Sequence, residues 1–328
     1  MKTKDKIIKG SRKFYRLIFN PKFIEPACEF DRNKSNKYIY DLLVSDKPCM
    51  ISRYGTGEIG IVSNYLTVHN NESIFKKCMR YITGNTGLPW WDELFFNSMR
   101  LNAGIFPESI ETLERFSERY IQDSKEIDLL GSFNYTEKFM PLRKDVINVH
   151  LECLYPFWAE QPWTIALENK KVLVVHPFVE TIASQYNNRE NIFEDKRILP
   201  KYELILLRAV QSNAGGEVPF KDWFEALKYM EDEISKIDFD ICILGCGAYG
   251  LPLAAHVKRL GKKAIHLGGG SQLLWGIKGK RWDNNAYLWK NLPQLNTNYS
   301  SLYNDYWVRP SSVETPKNAI KVEGACYW

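Results

Sequence analysis

The chain has 328 residues, 45% hydrophobic and 25% charged, the composition of an ordinary globular protein with one large core or two small ones. No run of about 18 apolar residues occurs, which speaks against a membrane-spanning helix, and the N-terminus lacks the apolar core of a signal peptide, so a cytoplasmic location is expected. The net charge is +5, but residues 1–22 alone carry +7 and leave the remainder at −2, so the basic footprint of a nucleic-acid binder is missing and no nucleic acid is expected as a partner.

That N-terminal segment, drawn as a helix, has two faces. Lys2, Lys6, Lys9, Lys13 and Arg16 follow one another on one side, while Ile7, Ile8, Phe14, Tyr15, Ile18 and Phe19 gather opposite. One reading is a helix lying on an anionic membrane surface, where each basic residue contributes roughly 1 kcal/mol. The other is a helix docked on the protein's own core with a solvated basic face.

From about residue 37, strand-like apolar runs alternate with helical segments, which argues for an α/β fold, Rossmann-like, with a mostly parallel sheet flanked by helices. The predicted strands are 49–54, 127–133, 171–178, 203–210, 240–246 and 263–268. The predicted helices are 58–66, 108–123, 179–187, 220–236 and 250–260. The aromatic stretch 154–167 reads as a helix or loop against the sheet, with Trp158 and Trp163 in the core. After about residue 283 no period is visible, and loops wrapping the surface are expected. Three segments result: a basic amphipathic stretch at 1–36, an α/β domain at 37–282 and a wrapping tail at 283–328.

Polar residues, glycines and charges collect after every predicted strand. Arg53, Tyr54, Gly55, Thr56, Gly57 and Glu58 follow the first, Asn134 the second and His176 the third. Ser212 and Asn213 follow the fourth, Gly245 and Gly247 the fifth, and Gln272, Lys278, Lys280 and Arg281 the sixth. Open parallel sheets bind ligands beyond the carboxyl ends of their strands, so this edge is the expected site. Turns alone would account for the glycines and amides, but not for Arg, His, Gln and a Lys-Gly-Lys-Arg run.

Each motif has a functional and a structural reading. "RYGTGE" (53–58) brings glycines, helix-start amides, an arginine suited to phosphate and a carboxylate to one strand tip. Alternatively, Glu58 merely complements the helix dipole and pairs with Arg53. "GCGAYG" (245–250) matches GxGxxG and suits a phosphate at a helix N-terminus, or simply a tight strand-to-helix turn. No NAD is expected, because the next strand ends in His266-Leu267-Gly268 without an acidic residue for a ribose. "GIKGKRWD" (276–283) suits a diphosphate clamp or an ordinary surface loop. His176 is a candidate ligand contact or a structural histidine. The seven cysteines and five histidines are scattered, with no CxxC pair and no HExxH, and read as reduced, packed thiols without a zinc site.

With its preceding strand, "RYGTGE" resembles the opening motif of the GT-D type of bacterial glycosyltransferases, an Arg-aromatic-Gly-Asp-Gly-Glu sequence. The unit 238–269 is similar to that family's closing βαβ, and the resemblance extends loosely over 37–282. The segments "HPF…TIASQY" and "GGGSQLLWGIKGKRW" also look like proteins of bacterial surface-polysaccharide biosynthesis. The resemblance implies sugar transfer from a nucleotide-sugar donor to a glycan or lipid-linked acceptor at the cytoplasmic membrane face. In that reading Glu58 acts as catalytic base, and Arg53 with the glycine loop holds the diphosphate. The family's Asp is Thr56 here, so only Glu58 of the acidic pair matches. A threonine hydroxyl carries no charge, which disfavours a tightly held divalent metal (Mn or Mg). The diphosphate would then fall to Arg53, Lys278, Lys280 or Arg281, or to a weaker metal site at Glu58 completed by substrate phosphates. Two other readings stand beside transfer: a non-catalytic nucleotide-sugar-binding partner of a polysaccharide assembly complex, and a dinucleotide-dependent oxidoreductase.

Overall fold

Seven parallel strands form one sheet in the order β3-β2-β1-β7-β6-β4-β5. They are β1 Cys49–Arg53, β2 Leu129–Ser132, β3 Ile147–His150, β4 Lys171–His176, β5 Glu203–Arg208, β6 Ile241–Leu244 and β7 Lys263–His266. The computed structural model describes residues 3–21, 26–92, 96, 99–284, 292, 295 and 297–328. The α/β expectation holds, and all six expected strands are present, each trimmed where the chain turns into its loop. The seventh, β3, escapes sequence reading: it is four residues long and polar at alternate positions, at the sheet's edge.

Strand alternation builds two cores. Ile51, Leu129, Val172, Val174, Ile243 and Ile265 face one side with α2 (Arg32–Val44) and the later helix α6 (Val179–Asn187). Met50, Leu130, Leu173, Val175, Cys242 and Leu244 face the other. There they meet α3 (Thr56–Val68), α5 (Ile110–Ser124), α7 (Trp223–Ser235) and α8 (Gly250–Arg259). Strands covered on both faces read as continuous apolar runs, as seen here.

Several elements differ from expectation. Helix α2, capped by the Asp31 side chain on the Lys34 N–H, runs through residue 36 and joins the segments expected on either side of it. A short helix, α4 (Ile74–Ile82), and a π-helical turn at Met99–Ala103 were not foreseen. The stretch 154–167 contains a 3-10 turn at Trp163–Leu167, with Trp163 fully buried. Among the described residues of the tail, 3-10 turns lie at Tyr299–Leu302, Ser312–Glu314 and Ala319–Lys321, and Tyr299 and Trp307 are buried in the core, so the tail is not a purely surface wrapping. The N-terminal helix α1 spans Thr3–Phe19. No helix among the described residues is long and apolar enough to cross a membrane. Of the seven cysteines, Cys49, Cys153, Cys242, Cys246 and Cys326 are buried.

The topology fixes where a ligand crevice opens. After β4 the chain crosses outward to β5, whereas after β6 it crosses the opposite way to β7. The adjacent pair β4 and β6 is therefore a topological switch point, and their carboxyl ends leave a gap between diverging connections.

Candidate functional site

The carboxyl edge carries two compartments. The first forms where β1 and β7 end. Strand β1 is wholly buried until Arg53, whose side chain emerges half-buried. Its guanidinium lies over the Phe133 ring at 5.0 Å and against Gly268, where a Cβ would approach Nη1 to 3.3 Å. Arg53 Nε is buried without a hydrogen-bond partner, and no carboxylate among the described residues lies within 4.0 Å of the group. A cation left without an ion pair at a strand tip is a ready anion partner.

Gly55 is the N-cap of α3, which places Glu58 in the first helical turn. The Glu58 side chain folds back over the Gly55 Cα, where a Cβ would collide with the carboxylate. Burial raises its pKa, opposed by its own backbone N–H and by Arg53, while Glu323 adds to the rise. Glu58 is therefore held near Arg53 without pairing to it, and the reading in which the two form an ion pair fails. Thr56 and Gly57 are exposed at the helix start. Tyr54 turns inward, fully buried 5.9 Å from Tyr120, and belongs to the core instead of the site.

Of the cationic loop, only Arg281 joins this compartment. It pairs with Glu323, donates to the Tyr327 hydroxyl at 3.2 Å and lies 4.9 Å over the Tyr327 ring. Arg53 and Arg281 act on the same two buried phenols, Tyr155 and Tyr327. Lys278 instead sits 5.3 Å over Tyr303, and exposed Lys280 reaches the Gly324 carbonyl at 3.3 Å. Sequence reasoning missed Glu137, Tyr155, Glu323 and Tyr327. Glu137 is buried, accepts from the Phe133 and Asn134 N–H groups at 3.0 Å, and has its pKa raised by burial with Arg53 opposing. Its spacing from Asn134 is that of a capping box, the one signal available beforehand. Asn134 serves in that cap and, with Glu137, lines a separate depression beneath α1.

The second compartment is the crevice at the β4/β6 switch point, which opens to solvent. His176, Ser212, Asn213, Gly245, Gly247 and Gln272, scattered across a hundred residues of sequence, meet around it. The three glycines of 245–250 have separate duties. A Cβ at Gly245 would strike Ser271 and the His176 ring, Gly247 adopts φ +58°, and Gly250 makes room for the His266 ring. That accounts for the motif by packing alone.

The crevice's polar groups are neutral. His176 Nδ1 accepts the Phe178 N–H at 3.0 Å, so the ring proton sits on Nε2 and the imidazole is a donor. Burial lowers its pKa to about 3, so it stays uncharged at neutral pH. Asn213 Oδ1 is buried without a hydrogen-bond partner among the described residues. Ser212 is occupied, donating to the Gly104 carbonyl at 2.6 Å with Tyr249 Oη at 3.0 Å. Gln272 is likewise structural, since its amide ties the carbonyls of Ile277, Lys278 and Tyr327. No Asp, Glu, Lys or Arg is among the described residues lining the crevice, while Phe178, Tyr327 and Trp328 supply aromatic surface. Tyr327 belongs to both compartments: it covers Gly269 here and carries Arg281 there.

As for a metal, no group of three His, Cys, Asp or Glu side chains able to hold one occurs among the described residues. Glu58 with Thr56 does not make a cation cage. Compared with known proteins, the chain matches no family profile, no curated protein and no solved structure.

Proposed function

We propose that the chain is a glycosyltransferase of the GT-D type, moving a sugar from a nucleotide-sugar to a glycan or lipid-linked acceptor in bacterial surface-polysaccharide biosynthesis, at the cytoplasmic membrane face. The observation that carries the reading is the Arg53–Glu58 arrangement: a half-buried guanidinium with no ion pair among the described residues, beside a carboxylate of raised pKa. An acceptor hydroxyl gives its proton to Glu58 as its oxygen bonds to the sugar's anomeric carbon. The bond from that carbon to the diphosphate oxygen breaks, and the negative charge moves onto the leaving group beside Arg53. A cation already in place at that position stabilises the charge as it develops. A raised pKa brings Glu58 towards the range in which a general base is effective at neutral pH.

The neutral crevice takes the part of the donor that does not react, namely its nucleoside. Among the described residues it holds no carboxylate to serve as base, and His176 has its basic nitrogen occupied. Its aromatic walls suit a base, and its donor and acceptor suit a base edge. It lies two to three strands from Arg53, about 12 Å at ordinary strand spacing, on the scale of a ribose and diphosphate.

A second reading keeps the binding and drops the chemistry. Thr56 stands where the resembling family has its Asp, which favours a nucleotide-sugar-binding partner of an assembly complex. Glu58→Gln separates the two. Loss of transfer with retained donor binding supports catalysis; a wild-type protein that binds the donor and transfers to no acceptor supports the partner role.

A further inference from the structure

Helix α1 resolves into three rows where the sequence suggests two faces. Residues 5, 8, 12 and 15 form the docked row. Asp5 and Ile8 are buried, and Arg12 and Tyr15 are half-buried. Ile8 packs with Tyr81 and Leu88, Lys9 at the row's margin pairs with Asp92 at 2.6 Å, and Arg12 donates to the Tyr135 hydroxyl at 2.7 Å. The helix is thus fixed to the body of the protein through Ile8 and Tyr15, which the sequence grouped with the free apolar face.

The second row is apolar and open. Ile7, Phe14, Leu17 and Ile18 are 64%, 65%, 74% and 56% exposed, with only Gly10 and Ser11 between them. Isolated exposed apolar residues are ordinary, but four large ones along one stripe of a 17-residue helix are not. The third row is basic: Lys6, Lys13 and Arg16 are exposed. At 100° per residue it runs along one flank of the apolar row, between that row and the docked one.

We infer that this pair of rows is a docking surface for an anionic lipid bilayer, with α1 lying in the interface. Charge decides the occupant. A second copy of the chain packed antiparallel on this stripe would bring the two basic rows to the same side, which is repulsive, and in any arrangement leaves them without counter-charge, whereas anionic headgroups meet Lys6, Lys13 and Arg16 while the acyl boundary takes Ile7, Phe14, Leu17 and Ile18. Because the docked row is tied down, the surface does more than tether: it holds the protein in one orientation on the membrane. The inference is independent of the transfer reading.

The test is co-flotation of the full chain with phosphatidylcholine vesicles, alone and mixed with phosphatidylglycerol. Two variants, Phe14→Ser/Leu17→Ser/Ile18→Ser and Lys6→Glu/Lys13→Glu, alter only exposed positions, and their melting temperatures are compared with wild type to verify folding. The wild type is expected to float with the mixed vesicles and far less with phosphatidylcholine alone. The charge reversals weaken binding by at least about thirtyfold, and added salt weakens it as well. The serine variant loses at least about tenfold. Equal binding by wild type and both variants overturns the inference. So does a wild type that ignores vesicles, whether it sediments as a monomer or as a dimer that the serine variant dissociates.

Discussion

Arg53 at the end of β1 and Gly268 just beyond β7 meet so closely that a Cβ at Gly268 would lie 3.3 Å from the Arg53 guanidinium. A Cβ there would make the guanidinium shift slightly, and Gly268 adopts φ +64°, which an L residue enters only with strain. The Gly268 backbone thus lies directly against Arg53. Gly268→Ala is expected to destabilise the fold by about 1 kcal/mol or more and to weaken pyrophosphate binding. A urea melt and a pyrophosphate titration check both, and unchanged pyrophosphate affinity would show that this contact does not position Arg53.

Glu58→Gln is expected to abolish sugar transfer while the fold is kept. Its stability signature has a definite sign. A carboxyl whose folded pKa is raised contributes stability that is full below the unfolded pKa and is lost as pH rises through the folded value. The variant should therefore match wild type in acid, below about pH 4, and become the more stable protein as pH climbs to 7. Melting curves of the pair against pH measure this, and a gap that closes with rising pH would contradict the burial assigned to Glu58.

Three buried histidines titrate the other way. His150, His176 and His266 have pKa values lowered by burial to about 4, 3 and 3. Each must stay neutral in the fold, so stability is full above the unfolded histidine value near 6.5 and falls with pH below it. On the order of 2 kcal/mol per histidine is lost by pH 5. Glu58, Glu137 and Asp123, with raised pKa values, offset part of the loss. Urea midpoints at pH 7 and pH 5 should show a net destabilisation. His266→Asn should flatten the dependence, although its Ser52 contact at 3.0 Å makes it less stable at pH 7.

The two compartments should be separable by substitution. Asn213→Ala and Gln211→Glu line the neutral crevice and are expected to weaken nucleoside and nucleoside diphosphate binding about tenfold while sparing pyrophosphate. Arg53→Met should do the reverse to pyrophosphate and leave free nucleosides unaffected. Calorimetric titration of the three variants reads the pattern directly, and identical losses for all ligands would merge the compartments into one.

How much of this was legible beforehand follows from the kind of signal each residue carries. Runs such as Ile241–Leu244 announce buried parallel strands because both faces are covered. Ile147–His150 does not, since Asn148 and His150 break its pattern at the edge. The glycine-rich strand ends predicted the sheet edge, and the topology then explained why His176, Asn213 and Gly245 converge there. The errors lie in orientation. Tyr54 points inward because the residue after Arg53 falls on the α5 side of the sheet, and Lys278 turns to Tyr303 although it is two residues from Lys280. The tail's contribution was invisible because Glu323 and Tyr327 reach the site from a run of turns that has no hydrophobic period. For α1, periodicity gave the rows correctly but not which one the protein covers with itself.

The most direct test of the central claim is calorimetric binding of UDP, GDP, dTDP and CMP to the wild type and to Arg53→Met, together with sugar release from the corresponding nucleotide-sugars in the presence of a bacterial glycan or lipid-linked acceptor. The account predicts that one nucleotide binds, that Arg53→Met weakens it at least about tenfold, and that its sugar is transferred by wild type but not by Glu58→Gln. Binding of no nucleotide, or binding and transfer that survive both substitutions, would contradict it.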